Sequence, residues 1–198
     1  MNRLLVSTFL LCAASSAGAQ SIESAYTDFD LKKCRHVPGQ VEEDYGEWFC
    51  KGLNGMVVYM TAGDQRVMIS FGPRAKEEPA ASQTLAAFNG EGDKIEWRIE
   101  KSAGGNKAPF ATIMRWSTTK ADDSGDPIRG EVFVVTRLPP GAVCHAGYVD
   151  GRANANASEL AREIADKHAR GFRCGKDKPV TLGEKGPGFS APYDSNEN

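Results

Sequence analysis

The sequence predicts an α+β fold: an antiparallel β meander of about six strands, one C-terminal amphipathic helix packed on it, and two disulfides. Three observations carry this expectation. One stretch alone, 157–172, has helical periodicity; several upstream runs alternate or are rich in β-branched and aromatic residues; and four cysteines remain once an N-terminal leader is set aside. A run of strands followed by one helix leaves the helix to cover a sheet face or close one end.

The chain opens with Arg3, an apolar run over 4–14 and Ala17-Gly18-Ala19, the pattern of a secretory signal peptide over 1–19 cleaved before Gln20. The apolar run is too short to span a bilayer, and Phe9-Leu10-Leu11 lack the small residue that a lipidated Cys12 would need before it. Residues 20–174 read as a single α+β domain, and 175–198, poor in core-forming residues, as a disordered tail. The formal charge is −2, with both signs interspersed. This composition points away from nucleic-acid partners, and the lack of a second long apolar segment points away from stable membrane insertion after cleavage. A periplasmic or secreted chain is expected.

Cys34, Cys50, Cys144 and Cys174 form an even set, which in an exported chain reads as two disulfides. Three connectivities are open. Cys34–Cys50 and Cys144–Cys174 are favoured because each pair is nearest in sequence and each brackets a structural unit. A metal site is the weaker reading, since neither C-x-x-C nor paired-histidine spacing occurs.

In order, 21–33 reads as a short helix or loose lead-in, 34–39 as a loop and 45–49 as a short strand. MVVYMT over 56–61 and RVMISF over 66–71, joined by AGDQ, form a β-hairpin. Residues 74–82 read as a loop and 83–88 as one or two helical turns. The strand over 93–101 alternates, with Ile95, Trp97 and Ile99 on one face and Glu96, Arg98 and Glu100 on the other, as in a sheet with one wet side. The next strand, 110–117, places Phe110, Thr112, Met114 and Trp116 together, and 118–129 reads as a long acidic hairpin loop. EVFVVTRL over 131–138 is the most continuous apolar run and so a central strand, turned by Pro139-Pro140-Gly141 into a last strand over 142–149. The helix then has Ala157, Leu160, Ala161, Ile164, Ala165 and Phe172 at the spacing of one buried face. Asn156 suits its N-cap, with Glu159 three residues on, and Gly171 suits its stop.

The best functional candidate is the turn before that helix. Asp150, Arg152, Asn154 and Asn156 place a carboxylate, a guanidinium and two amides at a helix N-terminus, an end that attracts anions. The plainer reading is that Asp150, Asn154 and Asn156 only close the turn and cap the helix, with Arg152 solvated. Asn156-Ala157-Ser158 also matches a glycosylation sequon. Cys144-His145 sets a thiol beside a base, but neighbours in a strand point to opposite faces, and a bridged cysteine is no nucleophile. His168 lies at the edge of the helix's buried face and His36 in a loop beside a cysteine; packing roles are the plainer reading for both. Arg98, Arg115 and Arg137, with Glu96, Glu100 and Glu131, suit a ladder of cross-strand charge pairs, or else a basic groove. Asp122, Asp123 and Asp126 lack EF-hand spacing. No catalytic, metal or cofactor motif emerges.

The segments CRHVPG, EWFCKGLNGMVVYM and RLPPGAVCHAGYVDGRANANASELAREIADKHARGFRC resemble a group of uncharacterised exported proteins of proteobacteria over most of the mature domain. FCKGLNGMVVYMTAGDQRVMISF is similar to the disulfide-braced strand pairs of small periplasmic lysozyme inhibitors, whose inhibitory loop motif is not found here. The resemblance implies an exported domain and assigns no site residue. The expected function is therefore a non-catalytic binding or envelope-associated domain whose partner is an envelope protein or a cell-wall component. A cell-wall hydrolase using Asp150, His145 or His168, and a lysozyme-type inhibitor, are the alternatives.

Overall fold

The structure is a computed structural model that describes residues 21–38, 45–101 and 105–194. The expected signal peptide lies outside the described residues. The strands are β1 (Ser21–Asp28), β2 (Arg35–Pro38), β3 (Gly46–Lys51), β4 (Val57–Gly63), β5 (Arg66–Phe71), β6 (Gln83–Leu85), β7 (Phe88–Gly90), β8 (Lys94–Lys101), β9 (Lys107–Ala121), β10 (Pro127–Arg137) and β11 (Cys144–Asp150). The helix α1 (Ala157–His168) follows, running into a 3₁₀ turn over Ala169–Gly171, and then β12 (Val180–Leu182) and β13 (Pro192–Asp194).

These elements make an α+β fold in three layers. The central sheet has the order β1-β8-β9-β10-β11-β12, with β7 pairing the far end of β9; all its pairings are antiparallel except β11 with β12. An antiparallel sheet of β2-β3-β4-β5 packs on one face. Val58, Met60, Ile69 and Phe71 from that sheet meet Ile95, Trp97, Met114, Trp116 and Val134 from the central one. The helix lies on the other face, where Ala157, Ala161, Ile164 and Ala165 pack on Ile113, Phe133, Val135 and Val149. One meander was expected; two sheets form because β2–β5 carry an apolar face of their own, which the central sheet buries.

Both disulfides have the expected pairing. Cys34–Cys50 closes the β2–β3 unit, and Cys144–Cys174 ties the start of β11 to the chain just past α1. With partners 16 and 30 positions apart in sequence, each restrains the unfolded chain by about 3 kcal/mol. Such bridges fit a chain that folds in oxidising surroundings. No helix among the described residues is long and apolar enough to cross a membrane.

The structure corrects several local expectations. Residues 21–28 are a strand rather than a helix or lead-in: β1 pairs β8 along its whole length. The chain after Cys34 is also a strand, β2, and 83–90 form β6 and β7 rather than helical turns. The long acidic loop shrinks to a turn, because β9 runs to Ala121 and β10 starts at Pro127. Phe110 leaves the predicted face: β9 has one residue more than β8 between the pairs Arg98↔Ala111 and Ile99↔Pro109, and that bulge turns Phe110 toward the helix side. The face of β8 expected to be wet is covered by α1, leaving Glu96 and Arg98 only 8% exposed each.

The largest correction is the C-terminal segment. Residues 175–194 are ordered and belong to the domain, so the unit continues beyond Cys174. Here β12 adds to the edge of β11, the Gly188 carbonyl accepts from Thr118 Oγ1, the Ala191 carbonyl accepts from Ala86 N, and β13 pairs β6. The segment thus passes from the helix side over the sheet toward β6. It crosses β10 where a Cβ on Gly130 would run into the Gly188 carbonyl, so the backbones can meet only at glycine. Its poverty in core-forming residues suggested disorder, but its order comes from backbone groups that the sheet edges satisfy.

Candidate functional site

The turn between β11 and α1 turns two of its polar side chains, Asp150 and Asn154, inward. Asp150 is 1% exposed. Its Oδ1 accepts from the backbone N–H of Arg152 (2.8 Å) and Ala153 (3.0 Å), and its Oδ2 from that of Gly186 (2.7 Å). Asn154 donates through Nδ2 to the carbonyls of Asp150 and Glu184, both at 2.9 Å, and accepts the Glu184 N–H at 2.9 Å. Two of the four predicted binding residues therefore anchor the C-terminal segment. Arg152 and Asn156 are exposed, and the Asn156 side chain makes no capping bond to α1.

The three groups of the hydrolase alternative are not brought together. His145 and Asp150 stand on one strand, roughly 15 Å apart at the rise of a β-strand. His168 is exposed at the end of α1, and Cys144 is bridged. The predicted arginine ladder is only partly formed. Arg115 pairs with Glu131 (3.5 Å), Arg137 turns to the carbonyls of Pro140 and Ala142, and Glu100 reaches Arg170 beyond the helix (3.3 Å). Arg98 is bound bidentately by Asp166 of α1 (2.9 and 2.7 Å) and donates to Ser24 Oγ. Arg162, also on α1, binds Glu96 (2.7 and 3.2 Å), and that bond raises its affinity for its proton above the usual arginine value. This network fixes the helix on the sheet. In the turn after β9, Asp122 Oδ1 accepts from Ser124 N and Asp126 N, and among the described residues no group of three or more His, Cys, Asp or Glu could hold a metal.

The residues that do converge lie at the start of β11. A cleft of about 420 Å³ opens there. Its origin is topological: β12 covers β11 only at Gly147–Val149, so the outer edge over 144–146 is left open. Tyr148 and His145 form one wall. Residues three apart in a regular strand face opposite ways, but Ala146 is an extra residue against β10 (Val135↔Gly147, Thr136↔His145) and restores His145 to the face of Tyr148. Cys144 points to the helix side, as alternation required.

His145 is 1% exposed, with Nδ1 2.9 Å from the Tyr148 hydroxyl and its ring edge-on to Trp116. Its backbone N–H donates to Gln83 Oε1 at 2.8 Å, and its Nε2 has no hydrogen-bond partner among the described residues. Burial pushes the imidazole down to about 3, so it is neutral at ordinary pH. The opposite wall comes from the chain that the disulfide pins beside it. Phe172, Pro179, Pro192 and Tyr193 give apolar surface, and Lys176, Asp177 and Lys178 give charge. The only acid between these lysines, Asp177, is held by Arg173 through the backbone N–H (2.8 Å), Nε (3.0 Å) and Nη2 (2.6 Å). Those bonds also hold its carboxyl below the usual carboxylate value. Among the described residues neither lysine has an ion-pair partner.

The sequence reading treated His145 only as half of a catalytic pair and discarded the lysines with the tail. One signal was present: a Cys144–Cys174 bridge forces Lys176 and Lys178 to lie within a few residues of His145. A smaller cleft of about 320 Å³ beside α1 is lined by Tyr26, Arg115, Ser158 and Arg162, with Arg162 already committed to Glu96. Comparison with protein-family models, with curated proteins and with solved structures found no match to this chain.

Proposed function

We propose that the protein is an exported, periplasmic or secreted domain that binds an envelope component without turning it over, and that the cleft at the start of β11 is its binding site. One observation carries this reading. This cleft places a neutral, hydrogen-bonded imidazole among apolar and cationic side chains, and the one carboxylate among its described lining residues, Asp177, is held by Arg173. A general base works best with a pKa near the working pH, and His145 lies far below it. A cleft of this volume suits part of a small ligand. The leader-like N-terminus and the two disulfides support the location.

The test is a titration of the isotope-labelled, oxidised exported protein with soluble peptidoglycan fragments, followed by NMR. Saturable shifts at His145, Phe172, Lys178 and Tyr193, with the fragments recovered intact, are expected. Shifts confined to the 150–156 turn would move the site, and cleavage of the fragments would refute the non-catalytic reading.

A further inference from the structure

The cleft has a chemical preference written into its two walls. On one side stand Lys176 and Lys178 with Asp177 between them, which also lines the cleft and is paired with Arg173. Arg173, Lys176 and Lys178 against the single acid Asp177 leave this side net positive, and such charge beside a concave, partly apolar site attracts anions. On the other side stands His145, which lines the cleft and whose buried Nε2 has no hydrogen-bond partner among the described residues. Leaving a buried polar atom unpaired costs about 1–3 kcal/mol, so a ligand that reached Nε2 from the cleft by a small shift of the ring would gain a hydrogen bond that the protein leaves unmade. Between them, Phe172, Pro179, Pro192 and Tyr193 offer flat apolar surface rather than further polar groups.

We infer that the ligand of this cleft is an oxyanion on a flat or ring-bearing body: a carboxylate or phosphate lies between Lys176 and Lys178, its body packs on Phe172 and Tyr193, and one of its polar atoms satisfies His145 Nε2. This rests on the proposed role of the cleft as a binding site. The tautomer that fits an anion has the Tyr148 hydroxyl donating to Nδ1 and Nε2 carrying the proton. The lysines supply charge without fixed geometry, and the imidazole supplies direction. The neutral state of His145 is consistent with a hydrogen-bond role.

The experiment uses the full exported chain with three probes of similar size: benzoate, phenyl phosphate and the neutral benzyl alcohol. Affinity is read by NMR titration, and the nitrogen shift of His145 Nε2 is followed directly. Both anions are expected to shift the cleft signals, their affinity falling as salt rises, with benzyl alcohol at least tenfold weaker. Lys176→Ala/Lys178→Ala, an exposed pair whose removal leaves the fold intact, is expected to erase that tenfold preference. Whichever anion binds tighter and moves Nε2 identifies the group as carboxylate or phosphate. Equal binding of the alcohol, or a lysine-free variant that binds the anions unchanged, would overturn the anion inference while leaving the cleft as a binding site. Failure of all three probes to perturb the cleft would overturn both readings.

Discussion

Lowering the pH from 7 to 5 should destabilise this protein through one side chain. His145 is buried against Trp116 and Tyr148, and burial holds its imidazole at about 3, against an ordinary value of 6.5. The unfolded chain therefore takes up the proton first, and stability falls as pH drops from about 6.5 toward 3. The full separation of about 3.5 units corresponds to roughly 5 kcal/mol, but only below pH 3. At pH 5 the unfolded histidine is almost fully protonated and the folded one is not, which gives a loss of about 2 kcal/mol relative to pH 7. That window lies above the ordinary carboxylate range, so the ion pairs around α1 contribute little to the change. Urea denaturation of the oxidised protein at pH 7, 6 and 5, beside a His145→Gln variant, measures it. The wild type should lose about 2 kcal/mol over this interval and the variant should lack that component. A wild-type stability that is flat between pH 7 and 5, or a variant with the same slope, would show that the imidazole protonates in the folded state. The account of a dry, neutral His145 would then fail.

Other consequences concern the two devices that hold α1 and the C-terminal segment. Asp166→Ala leaves Arg98 under the helix without its bidentate partner. Because Asp166 is partly exposed, the expected loss is about 2–3 kcal/mol, below that for a fully buried pair; Arg98→Met with Asp166→Leu should recover most of it, and a single variant within 0.5 kcal/mol of wild type would show the network to be idle. Asp150→Ala removes the acceptor of three backbone N–H groups, including that of Gly186. Hydrogen exchange of Gly186 and its neighbours should quicken at least tenfold while β8–β10 stay protected, and unchanged exchange would show that Asp150 does not hold the segment. Replacing Cys144 and Cys174 by serine opens a 30-residue link and should lower stability by roughly 3 kcal/mol. It should also loosen Lys176 and Lys178, visible as a weakened anion preference in the cleft. A variant with full stability and full preference would mean that the bridge positions neither lysine.

Features whose cause is local could be read from the sequence. The apolar face of 157–168, the hairpin of β4 and β5 and the pairing of cysteines nearest in sequence each depend on residues close together. What escaped was set by distant partners. β1 is an edge strand whose residues are half solvated, and only the β8 ladder makes it a strand. Phe110 and His145 take faces decided by one-residue bulges, and a bulge has no composition of its own. Glu96 and Arg98 looked solvated because charge alternated with apolar residues. Their partners, Arg162 and Asp166, stand one helical turn apart on α1, so helix and strand carry matched charges whose burial becomes visible only when the two are placed face to face.

The same reasoning explains why the functional candidate moved. Asp150, Arg152, Asn154 and Asn156 looked like a ligand site because acceptors and donors cluster before a helix. A polar turn is free to bind a ligand only if no other part of the chain needs its hydrogen bonds, and here residues 184–186 need them. The segment that consumes the turn is also the one that builds the cleft. Leaving the disulfide at Cys174, it sets Lys176 and Lys178 against the uncovered start of β11, covers the rest of that edge with β12, and brings Tyr193 round to the rim. Anchoring at Asp150 and the opening beside His145 are two ends of one path. A change that frees the segment should therefore expose the turn and dismantle the cleft together, and no variant should gain an anion site at the turn while keeping the one at β11.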